Sequence, residues 1–413
     1  MSTNATLRAA MLSLAALCLS LWTVATVRAQ DVGGDVGGGG IFRAKNPETK
    51  KSAGPKTTTG TKPVNRTTGP TRAKASNSER IEELLDKGNE SRDARKFADA
   101  ETAYKDVLKL NPRDARAAYG LGNVYSDQQR WDDAEAAYRN SVAWAPKDAD
   151  AHIALSVVLV QPIPGGDNAK RLADAEMFAR RSVQIDPQNA VGWDRLGVAL
   201  QARGLLNSET EHSYRRAIEL DPQFGVAYAH LARMLNRAGK PGEAAPLYEK
   251  ATELAKDPAT LNLIADSLQG EQLWPQSEPV LKRALELDPN NLTSLLLMGR
   301  YLIVYKRFQE AEPYLKSATE VASRAFQPFN LLGRAYLGMD RFSDAEATYE
   351  RASTLAASAE KKQLAGIFGF EGVGDGYLKS NQKDKAVRAY QRALELDPNN
   401  NGAAQKLARV RAN

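Results

Sequence analysis

A six-residue segment recurs along this chain, and its spacing constrains the fold more than any other feature. The segment ALELDP occurs at 284–289 and again at 393–398. The dominant spacing of such units is 34 residues, as from Pro112 to Pro146, and a small residue stands 24 positions before several of the prolines that end them, as Gly122 does before Pro146. A fixed period of this length predicts a solenoid of stacked helical hairpins.

Each unit carries the residue types that two packed helices need. A small residue where the helices cross lets their backbones approach, and an aromatic residue such as Tyr138 or Tyr390 fills the space beside it. The proline ends the second helix because it lacks an amide hydrogen and disfavours helical geometry in the residue before it. Apolar residues four apart, as at Leu231 and Leu235, give each helix one buried stripe.

From about Glu79 to Asn413 the chain resembles the tetratricopeptide repeat family. Repeat two carries the resemblance most clearly, through Tyr119, Leu121, Gly122, Tyr125, Ala134, Tyr138 and Pro146. The resemblance implies an all-α fold, a right-handed superhelical solenoid of about nine helical hairpins with a C-terminal capping helix from about Gly402 to Val410. We place the starts of the nine repeats near Ile81, Ala115, Ala149, Ala190, Gly225, Pro258, Leu292, Phe326 and Ile367.

Two stretches interrupt the period. The first is an insertion at 162–168 between the helices of repeat three, and its prolines and glycines predict a loop that projects from one edge of the solenoid. It is either a contact for a partner or a tolerated surface insertion. The second stretch, at about 358–366, lengthens the step into repeat nine.

The first 29 residues predict an export signal. Arg8 supplies the positive start, an uncharged apolar run follows at 9–27, and Val27-Arg28-Ala29 is typical of a cleavage site. The alternative is an uncleaved anchor, because a run of this length just spans a bilayer. Either reading places the array outside the cytoplasm, in the periplasm or cell envelope of a bacterium. The only cysteine, Cys18, lies in this segment, so the mature chain has no thiol chemistry.

Residues 30–78 predict a disordered basic linker rich in Gly, Thr, Pro and Lys. They hold nine Lys or Arg against three Asp or Glu, whereas the array from residue 79 onward has a net charge of −2. The basic balance of the chain, +6, therefore belongs to its N-terminal part and argues against nucleic acid binding by the array. The linker either contacts anionic surfaces, such as lipid headgroups or cell-wall polymers, or is a solvated tether.

Signals for catalysis are absent from the sequence. The three histidines, His152, His212 and His230, fall in three different repeats without the paired spacing of a metal site. The chain has no Gly-x-Ser-x-Gly elbow and no dinucleotide-binding glycine pattern. We therefore predict a non-enzymatic protein without a cofactor or metal.

The resemblance implies a concave groove lined by positions 2, 5, 6, 9, 12 and 13 of each first helix. The basic residues at these positions are the candidate partner-binding set: Arg195, His230, Arg233, Arg237, Arg300 and Arg334. Arginines beside apolar side chains suit an acidic, partly apolar peptide. The alternative is that Asp194, Asp266 and Asp375 neutralise these arginines within the chain.

Two asparagines, Asn89 and Asn123, match position 9 of the family's clamp for a chain-terminal carboxylate. Leu85 and Tyr119 replace its lysine, so we predict that this clamp is missing and that the asparagines only solvate the entrance of the groove.

Together these features predict an exported scaffold that binds partner peptides or helices in its groove. Two other readings stay open, namely an assembly subunit of an envelope secretion, pilus or polysaccharide-export complex, and a structural protein that binds cell wall or glycan. The sequence leaves the oligomeric state unknown.

Overall fold

The computed structural model describes residues 45–49, 76–163 and 166–412. All regular secondary structure in these ranges is α-helical, which confirms the predicted fold class. The predicted export signal and most of the predicted linker lie outside the described residues. None of the described helices combines the length and the apolar character that crossing a membrane requires.

The described helices are numbered α1 to α20. Their bounds are Asn77–Asp93, Phe97–Leu110, Ala115–Asp127, Trp131–Trp144, Ala149–Val160, Asn168–Ile185, Ala190–Ala202, Ser208–Leu220, Gly225–Arg237, Pro241–Leu254, Pro258–Gly270, Trp274–Leu287, Leu292–Val304, Phe308–Val321, Phe326–Gly338, Phe342–Leu355, Ser358–Ala365, Phe370–Lys379, Lys383–Leu396 and Asn401–Ala412.

The described part of the chain divides into two compact units, one that ends at Ala238 and one that begins at Gly239. The first unit ends with α9, the first helix of repeat five, and the second begins with α10. Within each unit, the two helices of a repeat pack against each other, and the second helix also packs against the first helix of the next repeat. Each unit is therefore a stack of helical hairpins of the predicted kind.

The predicted repeat starts agree closely with the helices. The first helices of repeats two to eight begin at the predicted residues, Ala115, Ala149, Ala190, Gly225, Pro258, Leu292 and Phe326. Repeat one begins earlier, at Asn77, where Ser76 and Glu79 form a reciprocal capping box. Repeat nine begins at Phe370, because the lengthened step at 358–366 folds into the short helix α17.

The insertion in repeat three is described except for Pro164 and Gly165. Its end merges with α6, which begins at Asn168 and has 18 residues, with the side chain of Asp167 accepting from the Lys170 amide at the N-cap. The insertion thus lengthens the second helix of this repeat as well as the loop before it.

A proline followed by an Asp or Asn marks the step from one repeat to the next. After the proline that follows a second helix, an Asp or Asn two residues on caps the next first helix through its side chain. Asp114 caps α3, Asn189 caps α7 and Asn291 caps α13 in this way. The turn between the two helices of a repeat usually holds one residue in the left-handed region, such as Gln129 at φ 58°.

The hairpin core is built from the predicted contact between glycine and tyrosine. A Cβ placed on Gly122 would lie 2.5 Å from ring atoms of Tyr138, and the same spacing separates Gly374 from Tyr390. Both tyrosines are buried. The glycines are therefore required by the close approach of the ring to the helix backbone.

The capping helix α20 extends from Asn401 to Ala412, slightly longer than predicted. Lys406 Nζ lies 2.8 Å from Glu371 Oε1 and 2.6 Å from Asp375 Oδ2, both on α18. The lysine thus ties the cap to repeat nine.

Candidate peptide-binding grooves

Position 9 of the first helix connects the hairpin core with the groove. The Tyr104 hydroxyl donates to Asn89 Oδ1 over 2.7 Å, and the Tyr138 hydroxyl donates to Asn123 Oδ1 over 2.8 Å. In repeat nine the same bond joins Tyr390 to Asp375 Oδ1 at 2.7 Å. Where position 9 holds an acceptor, the core tyrosine therefore fixes its orientation.

In repeat eight position 9 holds Arg334, which has no acceptor atom. The hydroxyl of the core tyrosine, Tyr349, donates instead to the main-chain carbonyl of Phe368 over 2.7 Å. The identity of the position 9 residue thus decides where the tyrosine hydroxyl bonds.

Three of the six candidate residues meet in a buried cluster of the first unit. Arg195, His230 and Arg233 are 2 %, 0 % and 6 % exposed, and Asp194 between them is fully buried. His230 Nδ1 lies 2.8 Å from Asp194 Oδ1, and Arg195 Nε lies 3.3 Å from Asp194 Oδ2. Asp194 therefore pairs with His230 and Arg195 within the protein, as the alternative for Asp194 predicted.

Charge and burial set the ionisation of this cluster. Burial disfavours the ionised form of Asp194, but the positive charges around it, including Arg195 and Arg233, hold its pKa below the usual value. Burial lowers the pKa of His230, so the imidazole is neutral near pH 7 and donates its Nδ1 hydrogen to the carboxylate.

Arg237 and Arg300 remain near the surface. Arg237 lies in the last turn of α9 and is exposed. Arg300 Nη2 lies 2.8 Å from Asp266 Oδ1, and its Nε donates to Gln269 Oε1 over 2.9 Å. The predicted pairing of Asp266 with an arginine is therefore present in the structure. Asp375, in contrast, bonds Tyr390 and Lys406 rather than an arginine.

Arg334 differs from the other arginines of the candidate set. Within the described part of the chain it has no hydrogen bond or ion pair, and its Nε is buried without a partner. Its Cζ lies 5.0 Å from the ring centroid of Phe368, which is 43 % exposed. Burial lowers the pKa of Arg334 because no carboxylate offsets the loss of solvent. An uncompensated guanidinium beside an exposed aromatic ring is suited to an anionic group with an apolar neighbour.

A second groove, in repeats one and two, was not in the predicted set. Asn123 Nδ2 donates to the Lys45 carbonyl over 2.8 Å, Asn89 Nδ2 donates to the Pro47 carbonyl over 3.0 Å, and Arg116 Nη1 donates to the Glu48 carbonyl over 3.3 Å. Residues 45–49 therefore lie along this groove, where we expected solvated linker. Asn89 and Asn123 bind main chain instead of solvating an entrance.

The signal for this second groove was present in the sequence. Asn89 and Asn123 are 34 residues apart, each 15 residues before a core tyrosine, so both occupy the same face of successive hairpins. The contact of residues 45–49 with this groove could not be predicted, because five residues within a long basic stretch leave no periodic signal.

No described group of three or more His, Cys, Asp or Glu side chains is arranged to hold a metal ion. The groove of repeats one and two instead presents side-chain amides and a guanidinium group, and repeat eight presents the guanidinium group of Arg334. Such groups donate hydrogen bonds to carbonyls and carboxylates.

The geometry defines a helical repeat protein whose first helices present polar side chains to a groove. Models of the tetratricopeptide repeat match residues 85–150, 121–190, 227–261, 327–358 and 369–400. The chain belongs to the tetratricopeptide repeat family. Members of this family are typically non-catalytic scaffolds for protein–protein interaction, and the repeats support that class for this chain. Among the curated proteins compared, none matches the sequence.

Several solved structures are similar to parts of this chain. A thermophilic TPR protein of Thermus thermophilus, TTC0263, is 22 % identical, with a TM-score of 0.40 over 46 % of this chain and 99 % of that one. The crystal structure of MamA is 23 % identical, with a TM-score of 0.35 over 40 % of this chain and 93 % of that one. The Cut9-Hcn1 hetero-tetramer of the APC/C is 16 % identical, with a TM-score of 0.45 over 81 % of this chain and 62 % of that one.

Proposed function

We propose that this protein is an exported, non-enzymatic scaffold of the bacterial cell envelope that grips an acidic peptide of its partner through Arg334. The observation that carries the proposal is the guanidinium of Arg334, which is partly buried beside Phe368 and has no carboxylate partner among the described residues. A desolvated charge without a counter-charge costs free energy in the isolated protein. A carboxylate supplied by a partner offsets that cost.

Phe368 adds the apolar part of the recognition. Its ring is exposed, and Ile367 beside it is 48 % exposed. The Tyr349 hydroxyl holds the Phe368 carbonyl, which fixes the loop that carries both side chains. A peptide with an acidic residue next to an apolar one matches a guanidinium flanked by this surface.

Arg300 provides a matched control for Arg334. Both occupy position 9 of adjacent first helices in the second unit, but Arg300 is already paired with Asp266. We would capture partners from the envelope extract of the source organism with the wild-type chain, Arg334→Gln and Arg300→Gln, and quantify them by mass spectrometry. We expect Arg334→Gln to lose a specific partner that Arg300→Gln retains. Helicity measured by circular dichroism must be equal in all three chains.

Direct binding then identifies the peptide. Overlapping synthetic peptides of the captured partner are titrated by fluorescence anisotropy, and the acidic residue of the binding peptide is changed to its amide. Equal capture by all three chains, or binding that is indifferent to the amide change, contradicts the role of Arg334. A partner retained by all three chains in one large fraction favours an assembly subunit instead.

Export rests on the sequence of residues 1–29, and it has its own test. Residues 1–40 fused to an alkaline phosphatase that is active only outside the cytoplasm report export as activity in intact bacteria. We expect activity with the natural sequence and its loss when Leu14 and Leu17 within the apolar run are replaced by Arg. Undiminished activity after these two substitutions is incompatible with the export proposal.

A further inference from the structure

Residues Lys45–Thr49 occupy the groove of repeats one and two as an extended segment. Three first-helix side chains reach its main-chain carbonyls in order along the segment, from Asn123 at Lys45, through Asn89 at Pro47, to Arg116 at Glu48. Pro47 is buried in this groove. Carbonyl contacts of this kind hold an extended backbone without reading its side chains.

Side-chain contacts add sequence discrimination at two residues of the segment. Arg92 Nη1 donates to Asn46 Oδ1 over 3.0 Å, while Asn46 Nδ2 donates to Asp93 Oδ2 over 2.9 Å. The Thr49 hydroxyl donates to Asp86 Oδ1 over 2.6 Å. Donor and acceptor of the Asn46 amide are thus both used, which an aspartate or a leucine at that place cannot reproduce.

The groove side chains are held in place by the repeats themselves. Arg92 is 2 % exposed, and its Nε and Nη2 donate to the two carboxylate oxygens of Asp127 over 2.7 Å and 3.2 Å. The hydroxyls of Tyr104 and Tyr138 donate hydrogen bonds to the Oδ1 atoms of Asn89 and Asn123. The two amide Nδ2 groups are therefore directed to the segment. Such preorganised donors lose little freedom when an extended peptide binds.

The segment itself favours the bound conformation. A residue before proline avoids helical geometry, so Asn46 is extended before it meets the groove. The segment belongs to the same chain, and a covalently attached ligand acts at an effective concentration of about millimolar when its connection spans the distance.

We propose that Lys45–Thr49 is a cis ligand of the groove in repeats one and two, and that this groove is a binding site for an extended Asn-Pro peptide. While the segment is seated, a peptide in trans must displace it. The site is separate from Arg334, so the two proposals stand or fall independently.

The test uses the full chain and a labelled synthetic peptide with the sequence of residues 42–52, FRAKNPETKKS. An emptied variant carries five substitutions in the segment: Lys45→Gly, Asn46→Ser, Pro47→Gly, Glu48→Ser and Thr49→Gly. Fluorescence anisotropy measures binding of the peptide to each chain. We expect the emptied variant to bind at least about tenfold more tightly than the wild type, since the competitor in cis is gone.

The groove is then changed in the emptied variant by Asn89→Asp and Asn123→Asp. An aspartate still accepts the tyrosine hydroxyl, as Asp375 does from Tyr390, but it cannot donate to a carbonyl. We expect peptide binding to fall at least about tenfold (about 1.4 kcal/mol). Attraction by charge alone predicts the opposite, because the peptide is basic. Asn290→Asp with Asn399→Asp, two exposed asparagines of the second unit, adds the same charge as a control.

Three binding results would overturn the proposal: no peptide binding to the emptied variant, equal binding to the emptied and wild-type chains, or undiminished binding after the two groove substitutions. Light scattering completes the test. A dimer of the wild-type chain that the emptied variant cannot form means that the segment occupies a second copy, and this also overturns the assignment in cis.

Discussion

The grooves of repeats one and eight both use position 9 of the first helix, but they use it in opposite ways. In repeat one, Asn89 accepts the core tyrosine hydroxyl and uses its remaining hydrogens for a main-chain carbonyl. In repeat eight, Arg334 cannot accept, the Tyr349 hydroxyl is redirected to Phe368, and the guanidinium is left without a described partner. The groove of repeat one is occupied and its polar groups are hydrogen-bonded, whereas the charge of Arg334 in repeat eight has no described counter-charge. The difference teaches that a solenoid changes its ligand chemistry by single substitutions at a fixed place in the repeat.

The strongest way to break the comparison is to disturb the core that both grooves share. We expect Gly122→Ala and Gly333→Ala each to destabilise the fold by about 1–3 kcal/mol, because the added methyl overpacks a helix crossing. Its Cβ would lie 2.5 Å from Tyr138 in the first case and 2.3 Å from Tyr349 in the second. Urea denaturation measures the effect.

Gly242→Ala is the matched control for these glycine substitutions, since apart from the adjoining helix backbone nothing lies within 4 Å of the added Cβ. It should leave stability unchanged or raise it by about 0.4–1 kcal/mol. Comparable losses from all three changes would show that the tyrosine contact is not what requires glycine.

Acid tests the buried cluster in the first unit. Burial lowers the pKa of His230 below its ordinary value of 6.5, so the unfolded chain takes up a proton below about pH 6.5 that the folded chain refuses. Stability that is fully present above that pH should therefore fall on acidification, by at most about 1.4 kcal/mol per pH unit for one proton.

His230→Asn keeps a hydrogen-bond donor toward Asp194 but does not titrate. Urea midpoints between pH 7.5 and 5.5 should therefore show a smaller slope for this variant than for the wild type. Two equal slopes would mean that the pKa of His230 is the same in the folded and the unfolded chain.

Tyrosine hydroxyls sharpen the comparison at a smaller scale. Tyr138→Phe leaves the Asn123 Oδ1 atom without its donor, and we expect a loss of about 0.5–1.5 kcal/mol. The amide is then free to turn, so the emptied variant should also bind the 42–52 peptide more weakly. Tyr349→Phe should cost a similar amount but leave that binding unchanged, because its hydroxyl bonds the Phe368 carbonyl.

The smallest effect distinguishes the two arginines. Arg334→Met removes a guanidinium that has no described counter-charge, so thermal stability should stay equal or rise. Arg300→Met breaks a partly exposed ion pair with Asp266 and should cost no more than about 1 kcal/mol. A marked loss of stability in Arg334→Met alone would show that Arg334 is structural.

The period and the hairpin core could be predicted from sequence because both repeat. The repeat period located seven first helices at their exact starts, and the glycine and tyrosine positions gave the helix crossings. Ends and interruptions followed less well. The step at 358–366 was recognised as extra length, but α17 was not predicted, since one short helix carries no repeating signal.

Candidate site residues were harder to predict because groove positions do not reveal burial. Arg195, His230 and Arg233 occupy positions assigned to the groove, yet they surround Asp194 in a buried cluster. Partners in the preceding repeat decide such outcomes, and a position-by-position reading treats each repeat alone. Arg300 shows the same limit, since its pairing depends on Asp266 one repeat earlier.

The hydrogen bond from the core tyrosine to position 9 also limits how this chain can drift in sequence. A change from Asn to Asp or Gln at position 9 keeps an acceptor and costs the hairpin little. A change to Arg or Val removes that acceptor, so it requires a second change that gives the hydroxyl a new partner, as Phe368 does for Tyr349. Ligand preference in such a repeat therefore depends on two positions that change together, position 9 and the residue that accepts the tyrosine hydroxyl. New specificities should appear most easily where a loop carbonyl already lies within hydrogen-bond distance of the tyrosine.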